Sequence, residues 1–245
     1  MHSASTDVVW LFGRGLSIDC GLTWDVPREW NQLNREDRID RIKHQLRLEM
    51  DSPCVNTQTL GKFIHFLGDH TRKGFRHVFI TTNWDYLLQR EVDRCKADLH
   101  WQSRPTWLLD SAVFHLNGTV ENLANDQYRS PFLLTDDSTQ QRTLTVEANK
   151  AFTLLTWQRV FILMGMSFEC ETDRNLLWHL NQIEDHLPIG ESRWFIVNPD
   201  GGAATVVRDR LHRTLPAATF CLVQKTFTCW RMAGFPELWS EGIFA

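Results

Sequence analysis

The residues best suited to chemistry fall in four short stretches, each at the end of an apolar run: Phe12-Gly13-Arg14-Gly15-Leu16-Ser17, Thr81-Thr82-Asn83-Trp84-Asp85, His115-Leu116-Asn117-Gly118 and Gly165-Met166-Ser167. Together they offer an imidazole, a carboxylate, side-chain amides, hydroxyls and a guanidinium, beside glycines that let backbone approach a ligand. The Gly-x-Gly-x-Ser turn permits that approach at Gly13 and Gly15, and a helix following it would aim its first amides at a phosphate. Such a helix end is worth about 0.3 to 1 kcal/mol to a surface anion and up to about 2 when partly buried, so several contacts are needed. Position 18 is isoleucine and the next glycine is Gly21, so this is not the G-x-G-x-x-G dinucleotide fingerprint. Taken alone, the turn reads equally well as a plain tight turn.

Elements must carry these groups to one edge. Asp7 to Phe12, Val78 to Thr82, Val113 to Leu116, Val160 to Met164, Trp194 to Val197 and Ala218 to Val223 are short, β-branched or aromatic runs that predict strands. Helical spacing lies between them: a partial stripe of Ile39, Ile42, Leu46 and Leu48, then Leu60, Phe63, Ile64 and Leu67, then Tyr86, Leu87, Val92, Cys95 and Leu99 behind Asp85. Further helices are expected over Ala148 to Gln158, through Leu176, Leu177, Leu180, Ile183 and Leu187, and through Val206, Val207, Leu211 and Leu215. This alternation predicts an α/β fold: a doubly wound, mostly parallel Rossmann-like sheet of about six strands, helices on both faces. In such sheets nucleotides bind in the crevice at the strands' carboxyl ends.

Residues 1–224 are expected to form one nucleotide-binding domain, in which the polar, aperiodic stretch 119–158 reads as a small helical or loop cap. The tail 225–245 carries Phe227, Trp230, Phe235, Trp239 and Phe244 among few charges, and is either a strap over the core or a surface for a partner. With 26 basic against 30 acidic side chains, the net charge of -4 gives no drive toward a polyanion, so direct nucleic-acid binding is not expected. No run approaches the roughly 20 apolar residues that cross a bilayer, and the first seven residues lack a charged region leading into an apolar one, so a cytoplasmic location is expected. Six scattered cysteines without a C-x-x-C pair exclude a zinc ribbon and read as small buried hydrophobes.

The glycine turn with Gly21, Thr82-Asn83-Trp84-Asp85, the strand ending in Gly118, Gly165-Met166-Ser167 and Ile196-Val197-Asn198-Pro199 resemble the ordered blocks of the sirtuin superfamily. More closely they are similar to its zinc-lacking bacterial branch, whose members hydrolyse NAD in antiviral defence. The resemblance spans roughly Val8 to Gly202, and its order and spacing carry it rather than any one block. It implies that Gly13, Gly15 and Ser17 hold the pyrophosphate, that Gly165, Ser167 and Asn198 meet the ribose and adenine, and that Asn83 and Asp85 carry the chemistry. Breaking the bond from nicotinamide to ribose leaves an oxocarbenium-like carbon. An amide such as Asn83 can orient a water against it, and Asp85 can hold the carboxamide or the developing charge.

Three positions depart from the family pattern. Asn117 stands where the family has histidine before the third-block glycine, Gly118; His115 lies two residues earlier and, on a continuing strand, would share its face about 6 to 7 Å away. Asparagine cannot shuttle a proton near neutral pH, and losing a general base costs about 10²- to 10⁴-fold in rate. Either His115 is the base, or the site runs slowly without one, or it binds without turnover; an Asn117 engineered to trap a ligand is also compatible with the sequence. Arg14 replaces a small residue and would pair with a phosphate or obstruct its path. Residues 119–158 contain no cysteine, so the two C-x-x-C pairs of deacylating sirtuins are missing and deacylation is disfavoured.

The expected function is therefore an NAD glycohydrolase that releases nicotinamide, acting in prokaryotic antiviral defence. NAD is its substrate, no metal is needed, and a homo-oligomer or a partner defence protein is expected. The alternative is a catalytically weak or inactive sensor of NAD or ADP-ribose.

Overall fold

The computed structural model describes residues 7–72, 76–99, 113–120, 132, 134, 151, 155, 158–169, 171–183 and 192–244. Six strands, β1 (Asp7–Phe12), β2 (Arg76–Thr81), β3 (Val113–His115), β4 (Val160–Met164), β5 (Arg193–Val197) and β6 (Thr219–Val223), form one sheet in the order β3-β2-β1-β4-β5-β6. Every pairing is parallel, with Val8 beside His77 on one flank and Val160 on the other. The chain winds outward from β1 through β2 to β3, returns to β4 on the far side of β1, and winds outward again. That is the order of a Rossmann-like fold, with its switch point between β1 and β4.

Helices cover both faces. Val8, Trp10 and Phe12 of β1 point into a core shared with α1 (Arg14–Asp19), α2 (Arg35–Met50), α3 (Gln58–Arg72), α4 (Leu87–Leu99) and the tail. Val9 and Leu11 point the other way, into a core with the helices Glu171–Ile183 and Gly201–Thr214. Burial on both faces explains why β1 is a continuous apolar run instead of an alternating one.

The strands match the sequence expectation to within about two residues, but the polar segment Arg28 to Asp51, whose partial stripe predicts one partly exposed helix, does not form one helix. A 3-10 turn over Arg28–Gln32 ends at Leu33, and α2 starts afresh with Asn34 as its cap, accepting from the Asp37 amide at 2.9 Å. The buried stripe of α2 is Arg38, Ile42, Leu46 and Met50, so Leu48 faces outward at 56% exposure and an arginine takes an inward position. Of the expected cap, Val120, Phe132, Leu134, Ala151, Leu155 and Gln158 are described and buried and Thr119 is half-buried; the rest lies outside the described residues. The tail is a strap: Phe227, Trp230, Phe235, Leu238, Ile243 and Phe244 all join the first core. No helix among the described residues is long and apolar enough to cross a membrane.

Candidate functional site

The loops behind β1 and β4 touch, and glycine is the reason. The Gly13 amide donates to the Met164 carbonyl at 2.8 Å, and the Gly15 amide to the Gly165 carbonyl at 2.9 Å. A Cβ on Gly13 would lie 2.6 Å from the Gly165 oxygen, and one on Gly15 2.5 Å from the Gly165 Cα. Gly165 itself sits at φ +63°, a conformation other residues resist. The Leu16 amide donates to the Gly13 carbonyl at 3.1 Å, so three amides of the turn already serve protein carbonyls. The turn therefore differs from a simple phosphate cradle: its glycines close the seam between two loops, and this presents Ser17 at the strand ends.

The loop behind β2 is set against that seam. Thr81 Oγ1 donates to the Phe12 carbonyl at 3.1 Å and accepts from the Asn83 amide at 3.0 Å. Asn83 Nδ2 then donates to the Gly13 carbonyl at 3.0 Å and to Ser17 Oγ at 2.8 Å. Ser17 Oγ donates in turn to Asp85 Oδ2 at 2.5 Å, and Asp85 Oδ1 accepts from the Leu87 amide at 3.1 Å, at the start of α4. Asp85 is only 7% exposed. Burial raises its pKa above the ordinary carboxylate range, against the hydrogen bonds from Ser17 and Leu87 and the charge of Arg90.

These groups line a cleft of about 520 Å³ outside the carboxyl ends of β1, β2 and β4. Arg14, Ser17, Asn83, Asp85, Gly165 and Ser167 all face it, so six of the twelve residues singled out from sequence meet in one cavity. Arg14 forms its rim: Nη1 pairs with Asp25 Oδ1 at 2.8 Å and Nη2 donates to the Trp24 carbonyl at 3.0 Å. That pair holds the Asp25 carboxyl below its ordinary value, against a small cost of burial. Trp24, Arg28, Arg38, Glu169 and Asp173 also line the cleft, none of which sequence reasoning found. The signal for Arg38 was available, because it stands four residues before Ile42 in the apolar stripe of α2.

The rest of the expected site lies elsewhere. Gly13 and Gly15 work at the seam. β3 stops at His115, so Asn117 belongs to a turn and the shared-face arrangement expected of a continuing strand does not hold. His115 is 1% exposed, stacks on Tyr86 with rings 9° apart, and is absent from the cleft lining. Burial pushes its imidazole down to about 4, a backbone hydrogen bond at Asn83 offsetting only part of that shift. Asn117 is equally buried; its Nδ2 donates to the Thr82 carbonyl at 2.7 Å, which braces the Asn83 loop from behind. Gly118 turns the chain at φ +78°. Beyond it, Thr119 Oγ1 and the Val120 amide both donate to the Trp84 carbonyl. Asn198 accepts from the Asp200 amide at 2.9 Å, shaping the turn into the helix Gly201–Thr214, and does not line the cleft. No protein-family model matches the chain, and no curated protein matches it.

Proposed function

We propose that the cleft binds NAD and that the chain hydrolyses the bond from nicotinamide to ribose. The observation that carries this reading is the hydrogen-bonded set Ser17, Asn83 and Asp85 lining a cavity at the switch point of a parallel sheet. The C1′–N bond breaks with its electron pair passing to nicotinamide, which leaves neutral. Water then adds to the cationic C1′ and gives up a proton, so that NAD and water yield ADP-ribose, nicotinamide and a proton. Asn83 lines the cleft with both Nδ2 hydrogens engaged, which leaves Oδ1 as the side-chain atom that can accept from that water and aim a lone pair at C1′. Asp85, when ionised, stabilises the developing positive charge from a site where water does not screen it well.

The rim guanidiniums of Arg14 and Arg28, with Arg38 deeper on α2, supply positive charge suited to a pyrophosphate. A dissociative reaction of this kind makes a modest demand on a base, which fits a cleft with no histidine among its described lining residues. Incubation of the purified chain with NAD, followed by chromatography of released nicotinamide, tests the reading. Release that disappears in Asn83→Ala supports it, and absence of release with or without an oligomer or partner protein defeats it.

One observation favours a second reading, a sensor that holds NAD or ADP-ribose without turnover: neither His115 nor Asn117 lines the cleft. Calorimetric binding with no nicotinamide released would select it.

A further inference from the structure

Donor and acceptor bookkeeping in the site leaves little freedom. The Gly13 carbonyl can only accept, so Nδ2 must be the Asn83 atom that faces it. The second Nδ2 hydrogen lies on Ser17 Oγ, which leaves Ser17 a single hydrogen, directed at Asp85 Oδ2. Asp85 Oδ1 is taken by the Leu87 amide, so a proton added to Asp85 goes to Oδ2, the oxygen that Ser17 addresses. The Ser17–Asp85 bond would then reverse. The displaced Ser17 hydrogen then needs an acceptor, and of the two standard ones in its own helix, the carbonyls three and four residues back, that of Gly13 already accepts from Asn83 and from the Leu16 amide.

We propose that Ser17 is a positioning residue that couples the charge on Asp85 to the orientation of the Asn83 amide, so that the cleft is offered the Asn83 Oδ1 acceptor when Asp85 is ionised and loses it when Asp85 is neutral. Burial of Asp85 moves the change above the ordinary carboxylate range. Among the described residues, the other charges around this pocket are Arg90 of α4, which acts on Asp85, Glu91 of α4 and Asp19 of α1, which act with Asp85 on Cys20, and, from the cleft, Arg14 paired with Asp25, Arg28, Arg38, Glu169 and Asp173. Cys20, behind α1, is pushed up to about 12 by burial and by Asp85, so it stays protonated and does not compete.

The relevance of this coupling to catalysis rests on the reading above, but the test needs no nucleotide. In the uniformly ¹⁵N-labelled full chain, the Asn83 side-chain amide pair is assigned by its loss in Asn83→Asp and compared between wild type, Asp85→Asn, Ser17→Ala and the double variant. Asp85→Asn imitates the neutral acid, whether or not Asp85 can be titrated before the chain unfolds. The proposal expects Asp85→Asn to move the Asn83 pair in the Ser17 background and to move it by less than a fifth as much in the Ser17→Ala background. It expects Ser17→Thr, which keeps the hydroxyl, to restore most of the response and to serve if the alanine variant folds poorly. Equal shifts with and without the hydroxyl, or no shift in either, would overturn it. Absence of NAD turnover would defeat the functional reading and leave this outcome intact.

Discussion

At the scale of single residues, the proposed reading divides labour between Asn83 and Asp85, which would act on the substrate, and Ser17, which joins them by hydrogen bonds. If the chain hydrolyses NAD as proposed, Asn83→Ala should lower nicotinamide release by about 10²- to 10³-fold with KM little changed, because water orientation matters in the transition state and not in the bound substrate. Steady-state kinetics on the purified variant check this. Asp85 acts on stability with the opposite sign to most carboxylates. Its folded pKa is raised, so the folded state holds the proton more tightly than the unfolded chain, and stability falls as pH rises through that raised value. Asp85→Asn should therefore raise Tm at pH 7 and, on the proposed reading, reduce turnover. His115 titrates the other way. Depressed to about 4 against 6.5 unfolded, it contributes stability that is complete above pH 6.5 and is lost as pH falls toward 4, about 3 kcal/mol in all. Urea melts across that window should show the loss in wild type and much less of it in His115→Phe, which keeps a ring against Tyr86.

At the scale of elements, the two loops behind β1 and β4 depend on each other's lack of side chains. Gly165→Ala adds left-handed strain and a clash with Gly15 at once, so it should cost about 2 to 4 kcal/mol and abolish ligand binding, measured by denaturation and calorimetry together. The strands were legible in sequence because each is a short apolar run ended by glycine or a polar block, a signal that needs no tertiary information. The glycines, Ser17, Asn83, Asp85 and Ser167 were legible for the same reason, since a residue just behind a parallel strand is delivered to one edge of the sheet. Arg38 could be found only by extending the apolar stripe of α2 back one turn onto a charged residue, and Asp173 was hidden because a helix can turn a charged residue inward where only the packing decides it. His115 and Asn117 were misplaced for a local reason: β3 is three residues long, and strand geometry stops applying where the strand does.

At the scale of the whole molecule, the tail determines how firmly the first core is closed. Phe235 packs against Trp10, Phe63, Phe66, Trp230 and Phe244, with its nearest ring centroid, that of Trp230, at 4.9 Å. Phe235→Ala should cost about 3 to 5 kcal/mol and shift the denaturation midpoint without changing its slope. Asp19 of α1 accepts from both the amide and the hydroxyl of Thr228 in the tail, so the helix that presents Ser17 is also tied to that strap. The pairing of β1 with β4 has a wider consequence. Val8 lies beside Val160, and β2, β3 and the helices α1 to α4 intervene in the chain between them. The cavity thus straddles the junction of an early and a late half of the polypeptide. A small molecule lodged there would act as a thermodynamic rivet, resisting separation of the halves and raising the melting temperature of the entire chain in proportion to the logarithm of its concentration.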